Sequence, residues 1–415
     1  MLFRSIQKEL IVAKQALDRL GQTIKQHNPL YYQSFLDTSF VTLQEVKKKL
    51  LADRQVLFEL FEGDSAVYSL LITPGKTYFN KISKIDFDST TKAYIGYISN
   101  QSLLNRKFED YTKTANYLYR LIFGGNSLPE GRIIISPYGH YFPFEALVTS
   151  MSPEPVYFLN KHAVSYTYSA RYLMNDFGIN TSDAANNFLG VAPVQYVSGM
   201  SLVDLHGSDL SLKEIGSYFS RSKILIKNHA TKNDFLQQYS KYKIIQLYTH
   251  AADSSSNGEP VIHFVDSSLY LSDLIAENKP FTRLIVLSAC ETGSGKLYEG
   301  EGVFSFNRGF AALGIPAAIT NLWSVDNTST YKLTELFYKY LTEGLPTDIA
   351  LQKAKLEFLQ TSTKEKSMPC FWAGPVLVGK TDTIKLSKPY SWKWIVLVAC
   401  IGGMIFFAVR KWIIF

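Results

Sequence analysis

The chain has 415 residues, of which 46% are hydrophobic and 19% charged, and its formal net charge is +7. That is room for two domains of ordinary size, and too apolar a composition for global disorder. Its three cysteines, Cys290, Cys370 and Cys400, are odd in number and widely spaced, which argues against a disulfide framework or a cysteine-rich metal site. Reduced thiols fit a cytosolic setting. Basic runs such as Lys47-Lys48-Lys49 read as a solvated helix face, and without a zinc-finger, RRM-like or phosphate-loop motif no direct nucleic-acid partner is expected.

From the N-terminus, Phe3, Ile6, Leu10, Ala13, Leu17, Leu20 and Ile24 recur at three- and four-residue steps, predicting an amphipathic helix over 2–26 that Asn28-Pro29 ends. Thr42 and Glu45 form a capping box that opens a second helix. Strand-like runs at 56–61, 67–72 and 77–82, separated by Gly63-Asp64 and Pro74-Gly75, predict an antiparallel meander. A helix over 108–123 precedes strands at 133–135 and 163–168. A polar stretch, 181–187, marks a boundary.

Beyond it the pattern alternates. Strands are expected at 188–191, 224–226, 244–248, 261–264, 284–287 and 317–322. Helices are expected near 212–219, after Thr231, at 271–277, 303–313, 328–342 and 347–360. Repeated β-α units imply a mainly parallel sheet with helices on both faces. Four segments follow: a helical N-terminus, 1–41; a first α/β half, 42–180; a second, 181–385; and a C-terminal segment, 390–415.

Two strands of the second half end in reactive residues. The run 244–248 leads into Thr249-His250, and 284–287 leads into Ser288-Ala289-Cys290. In open α/β sheets reactive groups sit at the carboxyl ends of strands. A thiol and an imidazole sharing that edge would make a nucleophile and its base. A buried cysteine and a structural histidine are the competing readings of each residue alone. Gly293-Ser-Gly-Lys296 lacks the spacing of a nucleotide loop, and His140, in a Tyr-Gly-His-Tyr turn, reads as structural.

The blocks Leu287-Ser-Ala-Cys-Glu-Thr-Gly293, Glu299-Gly-Glu-Gly302, Gly309-Phe-Ala-Ala-Leu-Gly314 and Asn321-Leu-Trp-Ser-Val-Asp326 together resemble the CHAT domain, a caspase-like cysteine peptidase family of clan CD. Pro143-Phe-Glu-Ala-Leu147, Thr249-His250 and Phe371-Trp-Ala-Gly374 resemble further family segments, and the resemblance runs from about Thr42 to Gly379. It implies a caspase-like sheet whose first half is an inactive pseudo-caspase and whose second half is catalytic. It assigns His250 and Cys290 as the dyad of a cysteine endopeptidase, without metal or cofactor. The backbone N–H groups of Ala251 and Cys290 would bind the oxyanion, although the family has glycine where this chain has Ala251. A carboxylate from Asp253, Glu291 or Asp326 near a specificity pocket would favour Arg or Lys before the cut; a solvated loop position is the competing reading of each. The implied partners are a protein or peptide substrate and a regulatory protein. The rival expectation is a catalytically silent caspase-like scaffold that recruits partners at a membrane.

At the C-terminus, the 16 residues from Trp394 to Val409 carry no charge, and lysine, arginine and tryptophan flank them. The expectation is a single membrane-spanning helix within 390–415. Lys380, Lys385, Lys388 and Lys393 before it, against Arg410 and Lys411 after it, place the catalytic part in the cytoplasm.

Overall fold

The structure is a computed structural model that describes residues 2–51, 55–126, 128–139, 141–175, 186–252, 259–274, 280–288, 296–298, 302–304 and 306–387. An eleven-stranded sheet organises it. In chain order its strands are β1 (Val56–Glu62), β2 (Ala66–Ile72), β3 (Thr77–Ser83), β4 (Gly131–Tyr138), β5 (His162–Tyr166), β6 (Asn186–Ala192), β7 (Ser222–Ile226), β8 (Tyr242–Tyr248), β9 (Leu284–Ser288), β10 (Ala317–Asn321) and β11 (Pro375–Gly379). Their order across the sheet is β3-β2-β1-β4-β5-β11-β10-β9-β8-β6-β7.

The meander β1–β3 pairs antiparallel as expected, because Gly63-Asp64 and Pro74-Gly75 allow tight reversals between alternating strands. The strands β1, β4, β5 and β11 are parallel to one another, as are β10, β9, β8, β6 and β7. The two blocks meet at β11 and β10, which are antiparallel. One continuous sheet therefore has two carboxyl edges, one per block, at opposite ends of its strands.

The helices are α1 (Leu2–His27), α2 (Leu43–Lys49), α3 (Lys84–Ile98), α4 (Phe108–Phe123), α5 (Ser208–Ser217), α6 (Lys232–Gln238), α7 (Phe306–Ala312), α8 (Asn327–Thr342) and α9 (Thr347–Thr361). One sheet face carries a single core across both blocks. Phe58, Ile135, Val164, Ile244, Tyr248 and Val286 meet α3, α4, α8 and α9 there. The opposite face divides into two. Leu57, Ile72 and Ile134 meet α2, whereas Leu189, Ile245, Leu247 and Ile285 meet α6 and α7. The alternation of Ile244, Gln246 and Tyr248 with Ile245 and Leu247 follows from the period-two side-chain direction of a strand. Gly190 in β6 lets α5 approach, since a Cβ there would stand 2.6 Å from Leu212.

Three expectations change. Val261–His263 lies outside the parallel sheet and pairs antiparallel with Ala251–Ala252 and with Ser268–Tyr270. Too short to span the sheet, it folds back over the end of β8. The helix expected at 271–277 is a single turn, Leu271–Asp273, before residues that lie outside the described ones. The helix expected from 303 begins at Phe306, because Gly302–Phe304 pairs with Lys296–Tyr298.

The membrane-anchored reading, with its cytoplasmic orientation and membrane partner, is overturned. Among the described residues no helix is long and apolar enough to cross a membrane, and α1, the longest, is exposed and interrupted by charged residues. The segment 390–415 lies outside the described residues.

Candidate active site

Strands β8 and β9 are neighbours in parallel register, from Ile244 opposite Leu284 to Tyr248 opposite Ser288. Both are buried hydrophobic runs, and both end at the same carboxyl edge. His250 lies two residues past Tyr248. Cys290 lies two residues past Ser288 in the sequence and outside the described residues. The register thus sets the last strand residue before each candidate, Tyr248 and Ser288, side by side.

His250 is half-buried and held on several sides. Its Nε2 lies 2.7 Å from the carbonyl oxygen of Val203. A carbonyl only accepts, so this bond requires the proton on Nε2 and leaves Nδ1 as the basic nitrogen. The backbone N–H of His250 donates to the Tyr196 hydroxyl at 3.2 Å, and the two rings are 5.3 Å apart. The same hydroxyl meets Thr249 Oγ1 at 3.0 Å, and Thr249 in turn donates to the carbonyl of His263. The carbonyl of His250 accepts from the His263 N–H at 2.9 Å.

Tyr196 and Val203 belong to one loop, closed at its base by the Leu205 N–H on the Val194 carbonyl at 2.7 Å. Val194 and Ser201 have φ of 67° and 52°, the first unusual for a β-branched residue. Backbone strain of this kind persists only where surroundings impose it. Beside this loop, burial first and then the charge of His250 lower the pKa of His263.

A polar relay lies beneath the strand ends. Gln246, fully buried in β8, donates to Ser288 Oγ at 3.0 Å and accepts from the Tyr338 hydroxyl of α8 at 3.1 Å. It ties the strand leading to His250 to the strand leading to Cys290. The sequence reading missed Tyr196, Val203 and Gln246. Only Gln246 left a trace, as a lone polar residue in an apolar strand.

The other candidates are placed as follows. The hydrogen bond between His263 N–H and the His250 carbonyl makes 250/263 a bonded rung, so Ala251, opposite Ile262, occupies the next, non-bonded rung. Its N–H points away from that partner strand. Asp326 caps α8, accepting from the Ser329 N–H at 3.2 Å, and lies 3.6 Å from Lys366. Its neighbours Val325 and Asn327 line a small groove with His250, Ser288, Asn321 and Tyr331. Asp253, Glu291 and Cys290 lie outside the described residues, as does His140. Cys370 is buried, and burial pushes its thiol up to about 12. It is thus a poor nucleophile at neutral pH.

The Pro143–Leu147 block packs in the first half. Glu145 and Lys355 form an ion pair at 2.9 Å with side chains 2% and 1% exposed. Tyr166 donates to Glu145 at 2.6 Å, and Tyr94 and Tyr111 donate to the carbonyls of Pro143 and Ala146. A cleft of about 660 Å3 opens at the first half's carboxyl edge, lined in part by Phe35, Tyr138, Tyr168 and Arg308, on the sheet edge opposite the strand ends of β8 and β9.

A family model described as CHAT domain matches residues 112–380, well over half of the chain. No curated protein matches the sequence. Two structures of the separase–securin complex from Saccharomyces cerevisiae superpose with TM-scores of 0.53 and 0.52, at 11% and 10% identity. They cover 87% and 81% of this chain, but this chain spans only 33% and 31% of theirs. Caspase-1 from Spodoptera frugiperda aligns over 52% of this chain and 95% of its own at 14% identity, and its TM-score of 0.32 is too low to weigh. At such identities the likeness to separase is one of fold alone.

Proposed function

This chain belongs to the CHAT domain family, and on that premise we propose that it is a caspase-like cysteine endopeptidase using His250 and Cys290. The observation that carries the reading is the β8–β9 register, with Tyr248 opposite Ser288, which starts both residues' segments from adjacent strand ends. In this reading residues 42–180 form a pseudo-caspase half and 181–385 the catalytic half. A protein partner regulates the activity.

The Cys290 thiol gives its proton to His250 Nδ1, and the sulfur bonds to the peptide carbonyl carbon. The N–H groups of Ala251 and Cys290 stabilise the oxyanion. The C–N bond breaks, and the departing amine takes the proton from His250. Water then adds to the thioester, releasing the acid and restoring the thiol. The Val203 carbonyl keeps the imidazole in the tautomer this sequence requires. Asp253, Glu291 and Asp326 are the proposed carboxylates around a pocket for a basic residue before the cut.

The test is a peptide library offered to the full chain, with and without candidate protein partners, beside Cys290→Ala. The expected result is cleavage by the parent alone. Silence from both proteins under every condition would overturn the peptidase reading in favour of a silent scaffold.

A further inference from the structure

Helix α1 stands apart from the cores that hold the rest of the molecule. Every residue from 6 to 20 is exposed, and Ile6, Leu10, Leu17 and Leu20 are 56%, 67%, 68% and 56% accessible. Its base is anchored. Asn28 donates to the carbonyl of Ala312 at 3.2 Å, and Lys25 sits over the Tyr32 ring at 5.1 Å. An isolated helix in water gains little from propensity and depends on covering an apolar face.

The spacing of that face indicates its cover. Ile6, Leu10, Ala13, Leu17, Leu20 and Ile24 alternate steps of four and three, the 3.5-residue period of a coiled-coil seam. Leu10, Leu17 and Ile24 take the a positions, and Ile6, Ala13 and Leu20 the d positions. Glu9 then falls at g and Lys14 at the following e. In a parallel pair each g residue faces the e residue five places on in the other strand, which sets Glu9 against Lys14 in both directions. An antiparallel pair sets g against g and e against e. The remaining g residues, Leu2, Ala16 and Thr23, include no cation, and the remaining e residues, Gln7 and Gly21, no anion. Charge complementarity therefore selects a parallel arrangement of like helices.

We propose that α1 is an assembly helix that pairs in parallel, in register, with α1 of a second copy of this chain. The inference stands independently of the peptidase reading. Ile11 and Val12, each 57% accessible, lie off the seam and stay at the surface of such a pair.

Sedimentation velocity of the full chain at tens of micromolar should give twice the 46.9 kDa chain mass. Leu10→Asp with Leu17→Asp should return the single mass, with unchanged far-UV circular dichroism outside the loss from one helix. Ile11→Ser with Val12→Ser should leave the pair intact. Glu9→Lys should weaken association about tenfold, and adding Lys14→Glu should restore it. Under oxidation Leu17→Cys should form a disulfide-linked dimer and Val12→Cys should not. A monomeric parent, a seam variant that still pairs, loss of pairing in the Ile11 and Val12 variant, no rescue by the charge swap, or no disulfide-linked dimer from Leu17→Cys would each overturn the proposal.

Discussion

The two halves of the sheet share an architecture but treat their carboxyl edges differently. After β4 in the first half, the chain turns back onto the sheet face and buries Phe142, Phe144 and Glu145. Glu145 is locked to Lys355 and Tyr166. In the second half the chain leaving β8 presents a half-buried imidazole, held at its ring nitrogen and backbone by groups of a strained loop. Buried ionic contacts secure the first edge, whereas directional hydrogen bonds set a tautomer at the second. The same fold packs a buried ion pair at one end and holds an imidazole by hydrogen bonds at the other, and the difference lies in the segment that leaves each strand.

The contrast can be broken first at the thiols. With Cys370 pushed up to about 12, its thiolate fraction near neutral pH is about a thousandfold below that of an ordinary cysteine. Peptide mapping after brief iodoacetamide treatment of the native protein should find Cys290 modified and Cys370 untouched. Equal labelling would remove the distinction.

The first half's lock is tested by Lys355→Met. It strands the Glu145 carboxylate among buried groups and should cost about 3–5 kcal/mol in urea unfolding. Replacing Glu145 by Leu as well should recover much of that loss.

Acid should weaken the first half through His162, whose pKa burial lowers to about 4. Because the folded value lies below the ordinary 6.5, the stabilisation is present in full above pH 6.5. It fades as pH falls toward 4, by roughly 3 kcal/mol at most. His162→Leu should flatten that limb of a stability–pH profile.

The smallest effect is expected in the second half. Tyr196→Phe removes the acceptor for the His250 N–H and should cost about 1 kcal/mol. It should lower kcat several-fold with KM unchanged, while the urea midpoint moves little. A fall in stability without a change in kcat would assign Tyr196 to packing.

The meander and the two strands that end in Tyr248 and Ser288 were legible because turn residues bound short apolar runs. Helix α3 was not. Its buried residues Phe87, Thr91, Tyr94 and Ile98 share one face, but Thr91 and the surrounding serine, threonine and aspartate blur the apolar period. Val261–His263 has the composition of a buried parallel strand, and only its pairing with Ala251–Ala252 reveals a different place. At the site, sequence pattern made His250 a candidate. It did not single out Tyr196 or Val203, since a backbone carbonyl has no sequence signature and one loop tyrosine resembles any other. The apolar C-terminal run suggested a span, whereas no described helix has the length and composition for one.

The placement of β11 has a consequence for the order in which the molecule can form. This strand, residues 375–379, is the last of the sheet in the chain yet lies at its centre, between β5 and β10. During synthesis every other strand of the sheet emerges before the one that joins the two blocks. The central seam closes through contacts distant in sequence, which are slow to form. A ribosome-bound chain that stops before residue 375 therefore lacks the strand between β5 and β10, and completion of the sheet waits on the length of chain released.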